Sequence, residues 1–189
     1  MMTTMEDEQD WVDRYIAGFL RQYPEIDSEV EGIVDRVCKL NKYLVNTLED
    51  TVSTHGLMHA EYKLLLQLRA EASAQGLSAG ELSRALVMSS GGMTNLLDRL
   101  EDDGLIRRGS DPSDRRSVLV TLTPKGAKAI DRAVTAEAAR EADLLETLTP
   151  GERKELNELL RRVMQGFERR LGPPPHRTHQ EPSSRAPKG

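Results

Sequence analysis

The feature that most confines this chain is an abrupt change of period near residue 104. Met93, Leu96, Leu97 and Leu100 recur at i, i+3, i+4 and i+7, the stripe of a helix with one apolar face. Gly104 follows, where a left-handed residue belongs after a helix. Beyond it, Leu105–Arg108 and Ser117–Leu122 are short β-type runs on either side of GSDPSDRR. The Asp-Pro and Ser-Asp steps in that interval are turn chemistry, so the pattern predicts a hairpin with a long tip. A helix that runs straight into a hairpin leaves few architectures open, because both must share one small core.

The remaining segments are helical in pattern. Trp11, Tyr15 and Phe19, with Ile16 and Leu20, predict a short amphipathic helix over residues 10–21, ended by Tyr23-Pro24. Ser28-x-x-Glu31 has the form of a capping box and opens a long helix to about Thr54. Its apolar residues Ile33, Val37, Leu40, Leu44 and Leu48 step by three or four. A helix from about Ala60 to Ala72 follows, and then a loop over residues 74–77. Ser78-x-x-Glu81 starts a short helix through about Val87. Ser89-Ser90-Gly91-Gly92 is expected to break the chain before the Met93 stripe. Thr123-Pro124 and Thr149-Pro150-Gly151-Glu152 each place a cap before a proline, so two long helices are expected, to about Thr147 and Leu171. Residues 172–189 hold five prolines without periodicity and read as a disordered tail.

Composition narrows the function. Aromatics are only 4% of 189 residues and cysteine occurs once, which excludes an internal disulfide or a cysteine-rich zinc site. No apolar run is long enough to span a membrane, and the acidic N-terminus lacks a signal core, so a cytoplasmic protein is expected. The net charge is −5, but residues 1–35 alone carry −8, which leaves +3 for the rest. The overall acidity therefore does not mask a basic patch elsewhere. No nucleophile triad, phosphate loop or paired-carboxylate cleft is visible, so no enzyme and no cofactor are expected.

Helix, helix, helix and hairpin in this order define a winged helix-turn-helix. A DNA-reading helix needs one apolar face for its own domain and one face of small polar side chains for the groove. The stripe helix offers Ser90, Gly91, Gly92, Thr94, Asn95, Asp98 and Arg99 on its other side. Thr94 and Asn95 suit base edges or phosphates, and Arg99 suits a phosphate or a guanine. The alternative is a plain loop followed by an ordinary polar surface. Asp98, Glu101, Asp102 and Asp103 are expected to face away from phosphates. Arg107, Arg108, Arg115 and Arg116 cluster around the hairpin, and arginines at such a tip suit a narrow minor groove. Asp114 is either a turn residue or the partner that orients Arg116.

Residues 89–126, SSGGMTNLLDRLEDDGLIRRGSDPSDRRSVLVTLTPKG, resemble the recognition helix and wing of the MarR family of bacterial transcriptional regulators. The wing's Asp-Arg-Arg and the following Leu-Thr-Pro-x-Gly carry the likeness, which extends to about residue 171. The resemblance implies a mostly α fold: a winged helix-turn-helix with a two-stranded wing and a helical dimerisation domain. It divides the chain into 1–56, an extra helix and a dimerisation helix; 57–123, the DNA-binding domain; 124–171, further dimerisation helices; and the tail. It implies a ligand-responsive repressor that binds a palindromic operator as a homodimer. Ser90, Gly92, Thr94, Asn95 and Arg99 fall on the major-groove positions, and Asp114, Arg115 and Arg116 fall on the wing. The extra helix with Trp11 is similar to the PecS-like, urate-responsive branch. That branch has a tryptophan on the extra helix, an acid early in the second helix and an arginine after the recognition-helix asparagine. Trp11 meets the first condition, while Lys63 and Leu97 stand at the other two. An aromatic or phenolic anion paired with Lys63 suits these charges better than urate, with Trp11, Tyr15, His59 and Tyr62 around it.

Two other readings stay open. The winged fold serves some proteins as an interaction module with no operator, although the wing arginines would then lack an anionic target. Cys38, beside Val37 on the edge of the long helix, reads as a buried, inert thiol or as a redox sensor. His55 and His59 are i, i+4 but straddle Gly56, and read as surface imidazoles rather than a metal site.

Overall fold

The computed structural model describes residues 9–71, 76–110 and 118–172. The predicted tail, from residue 173 onward, lies outside them. The chain divides into two compact units, Met1–Leu48 and Glu49–Gly189, and each is described by itself.

In the first unit, α1 (Trp11–Phe19) begins at a capping box in which Asp10 accepts from the Asp13 N–H and Asp13 accepts from the Asp10 N–H. Val12 and Ile16 are its buried residues, and Ile16 packs toward Gly32 of α2 (Ser28–Thr54). Arg36 holds both acids of the capping box, at 2.8 Å from Asp10 and 2.6 Å from Asp13. The Asp13 backbone N–H, followed by the Arg36 guanidinium, holds the Asp10 carboxyl below its ordinary range. The cap of α2 is Asp27 rather than the expected Ser28: its Oδ1 accepts from the N–H groups of Glu29 and Val30 at 2.9 and 3.2 Å. Aspartate caps as well as serine, and the helix starts one residue earlier than the Ser-x-x-Glu pattern implies.

The second unit has α3 (His59–Ala70) at its centre. Leu64, Leu65 and Leu68 of α3 share a core with Leu82 of α4 (Ala79–Leu86) and with Met93, Leu96, Leu97 and Leu100 of α5 (Ser90–Asp102). Ile106, Val120 and Ile130 complete it, from β2 (Ile106–Ser110), β3 (Val118–Leu122) and α6 (Pro124–Leu144). Every residue of the predicted stripe is buried.

Two local expectations are corrected. The Ser-Ser-Gly-Gly break does not occur, because α5 starts at Ser90 and both glycines lie in its first turn. Ser89 is the N-cap and accepts from the Gly92 N–H at 3.2 Å. Two glycines cost about 2 kcal/mol of helix propensity, but the cap and the buried Met93 outweigh that loss. The sheet also has three strands rather than two. β1 (Leu77–Ser78), expected as loop and cap, pairs antiparallel with β3 through Leu77 opposite Val120 and Ser78 opposite Leu119. Gly76 permits this approach: its φ is +84°, and a Cβ there would lie 2.2 Å from the Val120 carbonyl oxygen.

Val87, the left-handed residue between α4 and α5, has φ +53° and is 76% exposed. A β-branched residue in this region is strained and, so exposed, gains little from packing. Val87→Gly is expected to raise stability by about 1 kcal/mol, read as a higher denaturation midpoint at unchanged m-value. An unchanged or lower midpoint would show that the valine side chain is held by contacts that offset the strain.

α7 (Pro150–Leu171) opens at the predicted Thr149 capping box and buries none of its residues. Leu156, Leu159, Leu160, Val163, Met164 and Phe167 are all exposed in the single chain.

Candidate nucleic-acid interface

The order of α3, α4, α5 and then a β2–β3 hairpin makes α5 the helix whose outer side is open. Ser90, Gly91, Thr94, Asn95, Asp98 and Arg99 are exposed there, and Gly92 is half-buried. The alternation follows from helical geometry, since the residues between the buried stripe positions must face water. Thr94 spends its hydroxyl proton on the Ser90 carbonyl oxygen at 3.0 Å, which leaves its lone pairs and methyl facing outward. Asn95 sits beside it and is likewise exposed. The helix N-terminus with its small residues lets a phosphate or a base edge come close to the backbone.

Arg99 is engaged within the unit. Its Nη2 lies 2.6 Å from Oε1 of Glu61, a residue only 5% exposed. The other carboxylate oxygen of Glu61 accepts from the Met58 N–H at 2.7 Å and so caps the first turn of α3. One buried carboxylate thus serves the start of α3 and the last turn of α5. Counting along the sequence placed the branch's acid and arginine at Lys63 and Leu97. Leu97 is a core residue, 2% exposed, and presents nothing to a ligand or to DNA. An acid–arginine link is present nonetheless, two residues away on each side, in Glu61 and Arg99. Sequence reasoning missed Glu61 because its burial is not visible in the sequence; the signal available was a glutamate at the third position of the helix.

Of the four clustered arginines, Arg107 and Arg108 lie on β2. Arg107 faces outward and donates to Thr121 Oγ1, its cross-strand neighbour, at 3.0 Å. Arg108 faces the other way and meets α5, 2.6 Å from Asp98 and 3.5 Å from Glu101. Asp98 and Glu101 of α5 are thereby both tied to the wing strand. The wing residues Asp114, Arg115 and Arg116 lie outside the described residues.

The residues assigned to an effector belong to both units. In the first unit, Trp11 and Tyr15 stack with ring centroids 5.0 Å apart, and Lys39 Nζ stands 3.8 Å over the indole. The stack continues through Phe19 to Tyr23. In the second unit, His59 Nδ1 is 3.1 Å from Glu49, while its Nε2 is buried without a partner among the described residues. Tyr62 is buried and Lys63 half-buried. Burial first, and then the Glu137 and Glu141 carboxylates, holds the Tyr62 phenol above its ordinary range. Burial also pushes Glu137 upward, against a hydrogen bond from Thr51. An anion bound beside Tyr62 would have those two carboxylates as neighbours, with Arg140 acting on Glu137 and Lys63 on the same helix turn to offset them.

Cys38 is exposed rather than buried. The apolar face of α2 that it borders, with Ile33, Val37, Leu40 and Leu44, is itself open in the single chain. His55 is exposed, and no cluster of metal-ligating side chains occurs among the described residues.

These features describe a winged helix-turn-helix DNA-binding protein, and comparison with known proteins agrees. Residues 55–117 match the MarR family model. The HTH-type transcriptional regulator PecS of Dickeya dadantii is 30% identical over 140 residues, which are 74% of this chain and 84% of PecS. Wild-type, ligand-free MarR of E. coli superposes with TM-score 0.60 at 28% identity, over 69% of this chain and 95% of that one. CouR of Rhodococcus jostii, solved with p-coumaroyl-CoA bound, shares the fold at 22% identity and TM-score 0.54, over 71% of this chain and 90% of that one. The chain belongs to the MarR family of transcriptional regulators, whose members bind DNA.

Proposed function

We propose that this protein is a homodimeric, ligand-responsive repressor of the PecS-like branch that reads a pseudo-palindromic operator. The observation that carries the reading is α5, whose one side is wholly buried and whose other side exposes Ser90, Thr94 and Asn95 as a small polar reading face. Gly92 allows close approach, Arg99 contributes charge at the far end, and Arg115 and Arg116, with Asp114 beside them, enter the adjoining minor groove. Dimerisation is supported by the apolar rows of α2 and α7, which a single chain leaves in water.

The effector we infer is an aromatic or phenolic anion, recognised by Trp11, Tyr15, His59, Tyr62 and Lys63. The likeness to PecS supports the branch, and CouR is a relative by fold that holds an aromatic thioester. The ligand must favour the state that cannot bind DNA, or it shifts nothing.

Asn95→Ala and Arg116→Ala are each expected to weaken binding to a duplex selected from a random pool by about 1–3 kcal/mol. Asn95→Ala should also relax the choice of base at one position, without loss of the dimer. Gel shifts at fixed salt, with sedimentation alongside, check this. A protein that selects no sequence, or that stays monomeric at micromolar concentration with full helicity, refutes the reading. Titration with urate and with salicylate-like acids, following Trp11 emission and operator release together, tests the effector. If neither acid binds, the assignment of these residues is wrong.

A further inference from the structure

We propose that Arg108 is a positioning residue for DNA reading, one that fixes the wing strand to the reading helix through Asp98 and Glu101. The inference rests on α5 being the DNA-reading helix and goes beyond it by assigning these three side chains a joint task.

The geometry is that of a clamp. Arg108 shares the inward side of β2 with Ile106, since residues two apart on a strand face the same way. Its Nη1 lies 2.6 Å from Asp98 Oδ1 and 3.5 Å from Glu101 Oε2. Its backbone N–H donates to Glu101 Oε1 at 3.0 Å, so Glu101 holds both the main chain and the side chain of this one residue. The Arg108 side chain is 27% exposed, and its Nη2 is buried without a partner among the described residues. A guanidinium held in this way is not turned outward to a phosphate.

The placement matters for reading. Asp98 follows Thr94 and Asn95 by one helical turn and is half exposed. Pairing with Arg108 couples the strand that leads into the wing to the helix that enters the major groove. A wing and a helix that serve neighbouring grooves must keep a fixed offset, and a charged link from one guanidinium to two carboxylates of the facing helix, backed by the Arg108 N–H bond to Glu101, is suited to keeping it.

The test compares Arg108→Ala, the isosteric double variant Asp98→Asn/Glu101→Gln, and their combination. Each is measured on the selected duplex and on a scrambled duplex of equal length over a range of salt. Arg108→Ala should weaken the selected duplex about 10-fold or more while changing the scrambled one by less than about 3-fold. The slope of log affinity against log salt should stay unchanged, because no phosphate contact is removed. The acid variant should lose the same preference, and adding it to Arg108→Ala should cost nothing further. Arg108→Lys should retain part of the preference. The proposal fails if Arg108→Ala weakens both duplexes equally and flattens the salt slope by about one phosphate contact, which makes the arginine a phosphate ligand. It fails equally if the acid variant tightens binding to the selected duplex and acts additively with Arg108→Ala. Helical ellipticity and melting of each variant guard against simple misfolding. A wild-type protein that prefers neither duplex would overturn the DNA-reading assignment itself, a result distinct from these.

Discussion

Gly126→Ala is expected to destabilise the second unit by about 3 kcal/mol or more and to lower its melting temperature by roughly 10 °C. The sign is the reverse of the usual rule, under which alanine in a helix gains about 1 kcal/mol over glycine. The reason is a backbone contact. A Cβ at Gly126 would lie 1.9 Å from the Leu105 carbonyl oxygen and 2.9 Å from its carbon. That carbonyl also accepts from the Thr123 N–H at 3.0 Å, and Thr123 Oγ1 donates to the Gly104 carbonyl at 2.7 Å while accepting from Gly126 N–H at 3.0 Å. The start of α6 is thus stapled to the exit of α5, and neither side has room to retreat. Thermal denaturation followed by ellipticity measures the loss. Gly80→Ala, where nothing lies within 4 Å of the added carbon, is the control and should be neutral or slightly stabilising. A loss below about 1 kcal/mol at Gly126 would mean that α6 slides off Leu105 at little cost.

Glu61→Ala is the second large effect, at about 2–3 kcal/mol. It removes the cap at the Met58 N–H, worth about 1 kcal/mol, and a charge-assisted bond to Arg99, worth about 1.5–3 kcal/mol. Full additivity is not expected, because Arg99 is 48% exposed and water can take over its charge. Glu61→Gln keeps the cap and weakens only the arginine link, so it should lose about half as much. Urea denaturation of the three proteins gives the order. Equal stability of Glu61→Gln and Glu61→Ala would assign the whole effect to the arginine. Equal stability of Glu61→Gln and the wild type would assign it to the cap.

What the sequence revealed follows from which forces leave a periodic trace. The stripe Met93, Leu96, Leu97, Leu100 was legible because burial on a helix repeats every three or four residues, and all four are in the core. The caps at Ser78, Thr123 and Thr149 were legible because one side chain and one spacing suffice to satisfy orphan N–H groups. β1 was not legible, because two residues carry no alternation and the need for Gly76 comes from a strand more than forty positions away. Glu61 was missed, and Arg108 was read as a groove-facing charge, for a related reason. Charged side chains read as surface unless a distant partner is known, and theirs lie on other elements. Cys38 was misjudged because an apolar helical face implies burial, and the single chain does not cover that face.

The aromatic column on α1 has an optical consequence. Trp11 is the sole tryptophan of the chain, stacked on Tyr15 and overlain by Lys39, all within Met1–Leu48. On unfolding without ligand, its emission therefore reports the unit that holds this stack. Far-UV ellipticity is dominated by α3 to α7, which belong to Glu49–Gly189. Superimposing a fluorescence melt on an ellipticity melt is normally a test of whether one transition has intermediates. For this molecule the same overlay compares two bodies. A gap between the curves would measure how independently the reading head and the tryptophan-bearing end lose their structure.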